Sequence, residues 1–154
     1  MCVNLRGLKS SPGNVFPVIS KKGTGSSIWG FNSGISGVTP QHNARSEKLD
    51  TLYKNFERGI VKVDSFWERS RFSTDLIRFT REDGKLFNLA CVLNKNNEFG
   101  VLTVNAIDPI LTHHPRMPLI LDDDRQEMFF DNNGFWKFFQ LRNYNLENLK
   151  LKKI

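Results

Sequence analysis

Two cysteines in 154 residues, Cys2 and Cys91, allow one disulfide at most and exclude the stapled framework of a small secreted domain. A reducing setting, cytoplasmic and of the bacterial intracellular type, is the expectation. No apolar run approaches the roughly 20 residues that a membrane helix needs, so no membrane partner is expected. Leu5, Leu8 and Val15 sit among polar and basic residues rather than in a signal core. Two cysteines and three histidines without paired ligand spacing argue against a structural metal site, and nothing calls for a cofactor. Internal repeats and low-complexity segments are also lacking.

What is present suits one globular domain spanning residues 1–154. Hydrophobic residues make up 39% of the chain and aromatics 12%, with 13 Phe, enough for a real core. Lys and Arg number 22 against 16 Asp and Glu, a net charge of +6 and a pI near 9.5. That balance favours a polyanionic partner such as nucleic acid. The basic residues are spread along the chain, apart from Lys150, Lys152 and Lys153 in a short, solvated tail.

The pattern reads as an α+β domain dominated by short antiparallel strands, with a barrel-like core and a few flanking helices. Between Ser10 and Gly37, Phe16-Pro17-Val18-Ile19 and Ile28-Trp29-Gly30-Phe31 interrupt Gly- and Ser-rich loops as short strands. Leu49, Leu52, Tyr53 and Phe56 follow helical spacing and predict a helix from about Ser46 to Glu57, with Ser46 as its N-cap and Gly59 as its stop. Asn43 and Arg45 would then precede its positive end, where a phosphate can be held. Ile60 to Phe66 predicts a strand ended by Trp67-Glu68. Leu86 to Leu93 and Phe99 to Val104 predict two more, joined by the turn Asn94-Lys95-Asn96-Asn97. Met117 to Leu121 is a further apolar run, and Asp122-Asp123-Asp124 can cap a short helix through Phe130. Phe135 to Phe139 shows no period. Cys91, within Leu89-Ala90-Cys91-Val92-Leu93, reads as a small core residue.

Cys2 is the residue with unusual chemistry. Loss of Met1 leaves an α-amine and a thiol on adjacent carbons, with reference pKa values of about 7.7–8.0 and about 8.5, so both nucleophilic forms exist near neutrality. Such an aminothiol takes an aldehyde in two steps: the amine forms a Schiff base, then the thiol closes a thiazolidine ring. Alone, a Met-Cys start carries little weight.

Other segments give it company. Trp29-Gly30-Phe31, Asn43-Ala44-Arg45-Ser46-Glu47, Phe66-Trp67-Glu68, Thr103-Val104-Asn105-Ala106 and His114-Pro115-Arg116-Met117-Pro118 follow Met1-Cys2 in order. In that order and spacing they resemble the SOS response-associated peptidase (SRAP) family, which captures abasic sites as DNA–protein crosslinks. The resemblance is clearest over residues 2–121, and its last segment is the most specific. It implies one SRAP-like domain, acting as a monomer on single-stranded DNA that carries abasic sites. Cys2 is implied as the nucleophile that forms the thiazolidine, with an associated autopeptidase activity removing Met1. Asn43 is implied to position the aminothiol, Glu68 to act as general acid–base in opening the sugar, and His114 to assist Schiff-base chemistry. Arg45 and Arg116 would hold flanking phosphates, and Trp29 joins them as a DNA-binding candidate.

Each role has its alternative. Asn43 can simply cap the helix beginning near Ser46, Glu68 can be a solvated carboxylate at a strand end, and His113 or His114 can line a turn. The chain also departs from the family pattern. Val3 and Asn4 follow Cys2 where the family has Gly-Arg, Lys62 and Arg69 replace a proline and a tryptophan, and the first forty residues are compact. Two other functions compete: an N-terminal cysteine peptidase or amidohydrolase, and a non-catalytic single-stranded DNA-binding domain.

Overall fold

Runs rich in β-branched and aromatic residues, separated by Gly, Asn and Asp, set the architecture: strands of two to eight residues joined by turns. The computed structural model describes residues 2–5, 8–10, 13–131 and 151–153, with side chains over 13–123 and 125–131. Thirteen strands lie among them. The first five are β1 (Cys2–Leu5), β2 (Leu8–Ser10), β3 (Val15–Ser20), β4 (Gly23–Trp29) and β5 (Asn43–Arg45). Then come β6 (Glu57–Val63), β7 (Ser65–Arg69), β8 (Leu76–Arg81), β9 (Phe87–Leu93) and β10 (Glu98–Asn105). The last are β11 (Arg116–Pro118), β12 (Ile120–Leu121) and β13 (Leu151–Lys153), and α1 (Asp123–Phe130) is the one α-helix among the described residues. None of these helices is long and apolar enough to cross a membrane.

Two sheets result. The smaller runs β13-β8-β7-β1-β2 and is antiparallel throughout. The larger runs β11-β10-β4-β3-β6-β9-β12, with β5 added to β10. Because β9 also pairs with β10, the pairings β10-β4-β3-β6-β9 return to their start. All seven positions of β9 are buried, and so are seven of eight in β10. That is the signature of strands covered on both faces. Phe66 joins the sheets: its ring stacks on Phe79 at 5.4 Å and meets Phe87 edge-on at 5.2 Å.

The hairpin of β9 and β10 and the helix capped by Asp122 stand where the sequence puts them; Asp122 accepts a hydrogen bond from the Arg125 N–H. The helix over Ser46 to Glu57 does not form. A 3₁₀ helix (Ser46–Lys48) is followed by turns, with Leu49 bonded to Ser46 O and Phe56 to Tyr53 O. Leu49 and Tyr53 are buried, whereas Leu52 is 59% exposed, so the apparent stripe is two anchors in an irregular segment. Asp50, Thr51 and Asn55 are weak helix formers, and Thr51 turns its hydroxyl onto Lys48 O. Three residues make no helix end fit to hold a phosphate, and Asn43 has no helix to cap.

Gly59 is not a stop but the middle of β6. A Cβ there would lie 2.7 Å from both Leu93 Cδ1 and Val18 Cγ1. Trp67-Glu68 does not end a strand either, since β7 continues to Arg69 between β1 and β8. Strand β8 lacked a clear signal. Phe135 to Phe139 lies outside the described residues.

Candidate active site

Along a strand, residues two apart share a face. On β7 the inward face is set by Phe66, which is fully buried, and Glu68 falls on it with 6% exposure. The carboxyl is therefore a core-facing acid, not a solvated strand end. Burial penalises its charged form and pushes its pKa up, against the opposing charge of His114.

His114 meets it. Its Nδ1 lies 3.8 Å from Glu68 Oε2, and the ring is about one third exposed. The same nitrogen is 2.8 Å from the Arg116 carbonyl oxygen and 3.1 Å from the Arg116 amide. Protonated, Nδ1 donates to that carbonyl; bare, it accepts from that N–H. The backbone of Arg116 thus supports either state of the ring, while the outer part of the imidazole reaches solvent. His113 points elsewhere, toward the Phe79 ring at 6.4 Å.

Sheet pairing sets the backbone of Cys2 alongside the strand that carries Glu68. β1 runs antiparallel to β7 with Cys2 opposite Trp67, the neighbour of Glu68. Its backbone is one strand spacing, about 4.8 Å, from that of β7.

Asn43 and Arg45 sit on β5, held parallel to β10 with Val101 opposite Asn43 and Thr103 opposite Arg45. The Asn43 Oδ1 is buried without a hydrogen-bond partner among the described residues, an acceptor left open. Arg45 has a side chain 59% exposed and a single ion pair, Nη2 to Glu47 Oε2 at 3.1 Å.

Arg116 is held differently. Its Nη2 donates to Glu47 Oε1 at 2.9 Å and to Thr103 O at 2.8 Å, and its Nη1 donates to Asn105 Oδ1 at 2.8 Å. The guanidinium ties β11 to β10 and fixes the backbone on which the His114 ring rests. Glu47, quoted in the sequence but given no role there, bridges both arginines. Burial works against its charge, but the hydrogen bond from Arg116, with help from Ser46 and Arg45, outweighs burial and holds its pKa low.

Trp29 does not serve DNA directly. It is 1% exposed, donates its indole N–H to His42 O at 2.9 Å and packs against Phe16 and Phe99. The glycine after it is required: Gly30 takes a φ of 112° where β4 turns away. Cys91 is fully buried in β9, and burial drives its thiol pKa up, away from nucleophilic use. The acid, the imidazole and the Cys2 strand thus converge. Arg45 offers a cation beside them, and no contact ties Asn43 directly to Glu68 or His114 among the described residues.

Comparison with known proteins bears on the family and the fold. Residues 11–153 match the model of the SOS response associated peptidase (SRAP) family. A solved structure from Bordetella bronchiseptica superposes with a TM-score of 0.70 at 22% identity, covering 95% of this chain and 86% of that one. A second, from Bacteroides thetaiotaomicron, gives 0.67 at 14% identity over 92% and 74% of the two chains. A phage-related protein from Bordetella bronchiseptica gives 0.68 at 15% identity over 95% and 80%. These likenesses establish a shared fold. No curated protein matches the sequence.

Proposed function

Because the chain belongs to the SOS response associated peptidase family, and with it to a DNA-damage-associated function, we propose that it captures abasic sites in single-stranded DNA through Cys2. The supporting observation is the buried Glu68 carboxyl, 3.8 Å from His114 Nδ1, on the strand that pairs with Cys2. In this reading the closed circuit of strand pairs is the barrel-like core, and the smaller sheet carries the reacting end.

The steps follow from the groups present. An abasic deoxyribose is mostly a closed hemiacetal, and opening it needs a proton at the ring oxygen. A carboxyl whose pKa burial raises is suited to supply that proton. The freed aldehyde accepts the Cys2 α-amine, giving a carbinolamine that loses water to an imine. The thiol then adds to the imine carbon and closes the thiazolidine. The balance is one aldehyde plus one aminothiol, less one water. His114 carries protons between Glu68 and solvent through these stages, its Nδ1 supported in both states by Arg116. Asn43 Oδ1 accepts a hydrogen bond from the attacking amine or the sugar hydroxyl, and Arg45 and Arg116 flank the strand. Hydrolysis of the Met1–Cys2 peptide bond by the same site, with one water consumed and free methionine released, exposes the amine.

The test is an adduct. Incubation with a single-stranded oligonucleotide holding one abasic site yields a species that survives SDS, with the mass of protein plus DNA less one water. Cys2→Ala abolishes it. No adduct from a protein shown by intact mass to lack Met1, or an adduct unaffected by Cys2→Ala, sinks the reading.

A further inference from the structure

Among the described residues the most exposed large apolar side chain is Phe72, at 74%. It stands on the turn between β7 and β8, four residues after Glu68. That turn is built rather than loose. Ser70 donates to Asp75 O at 3.0 Å, the Phe72 N–H donates to Ser70 Oγ at 3.2 Å, and Arg69 Nη1 donates to Thr74 O at 2.9 Å. Arg71 then pins it to the segment carrying the imidazole: its N–H donates to His113 O at 2.8 Å and its Nη2 to Leu111 O at 3.2 Å. The Arg71 guanidinium carbon lies 4.9 Å from the centre of the Phe72 ring.

The result is an upright aromatic with a cation on one face and solvent on the other, fixed beside the candidate site. Burying that face is favourable, yet no side chain of the described protein does so. A partner that fits is flat, to lie against the ring, and carries negative charge within reach of the unused Arg71 donors. An unpaired base with its phosphate has both properties, and aromatic stacking is the common way of holding single strands without reading sequence. The net charge of +6 favours the same class. We propose that Phe72, backed by Arg71, is a stacking platform for an unpaired base neighbouring the site of capture. This rests on the capture reading only for the identity of the strand.

The experiment uses undamaged oligothymidine and the full chain carrying Cys2→Ala, so that no adduct forms. Phe72→Ala leaves the melting temperature unchanged and weakens oligothymidine binding roughly tenfold to a hundredfold, the span of one lost base stack. In a second variant, Phe72→Trp, the added indole emission is quenched by oligothymidine but not by an equally long baseless deoxyribose-phosphate chain. Unchanged affinity in Phe72→Ala overturns the proposal, as does equal quenching by the baseless chain. Failure of Cys2-intact protein to form an adduct with an abasic oligonucleotide counts against the capture reading alone, since these titrations contain no abasic site next to bases.

Discussion

Glu68 shows how a single residue takes its chemistry from the strand that carries it. The two-residue period places it on the same face as Phe66, and burial raises its pKa. The sign of the consequence is fixed by linkage. The native state keeps this proton to higher pH than the unfolded chain, so stability falls as pH rises from the usual glutamate range through the raised value. Glu68→Gln therefore raises the melting temperature at pH 8 and changes it little at pH 4, while adduct formation at pH 7 slows by about 10²–10⁴-fold, the usual share of a general acid. Thermal melts at the two pH values and a timed adduct assay check both. The residue was legible in the sequence by its position after Phe66-Trp67. Its burial was not, because that depends on how β7 is flanked, by β8 across a turn and by β1 from more than sixty residues earlier. Glu47 was missed as a bridge for the same reason: its partner Arg116 lies 69 residues away. Trp29 was misread as a DNA contact because an aromatic beside a glycine looks alike in a core and on a surface.

At the level of elements, local signals and tertiary packing disagree most between Ser46 and Gly59. Helical spacing of Leu49, Leu52, Tyr53 and Phe56 was real, but only strong propensity or a cap would turn it into a helix, and the segment has neither. The β9–β10 hairpin was legible because Asn94 to Asn97 is an unambiguous turn between apolar runs, and Asn97 takes a φ of 60° that asparagine tolerates. Gly59 shows packing overriding local meaning. Gly59→Ala forces a Cβ against Leu93, Val18 and Cys91, and the overpacking costs about 1–3 kcal/mol. Each kcal/mol lowers the melting temperature of a domain this size by roughly 2–4 °C, measurable by calorimetry. An unchanged melt would mean that β6 and β9 can separate without cost.

Over the whole molecule, the charge balance and the two sheets were differently legible. The basic excess was plain in composition, and it predicts a salt-sensitive grip on single strands. Each phosphate engaged contributes about −0.7 to the slope of log affinity against log salt. Arg45, with a side chain 59% exposed and an ion pair to Glu47, is a cation placed to engage one. Arg45→Ala should flatten the slope by about 0.7 in a fluorescence-anisotropy titration; a parallel slope would remove Arg45 from the interface. The pairing of strands far apart in sequence left no mark in composition or period. In particular, in the sheet that carries Cys2 two strands, β7 and β8, separate β1 from β13, which holds Leu151 to Lys153. The sheet that carries Cys2 is therefore bounded by a strand far from it in the chain, and loss of the β13 pairing would bare the edge of β8 while leaving β1 paired to β7.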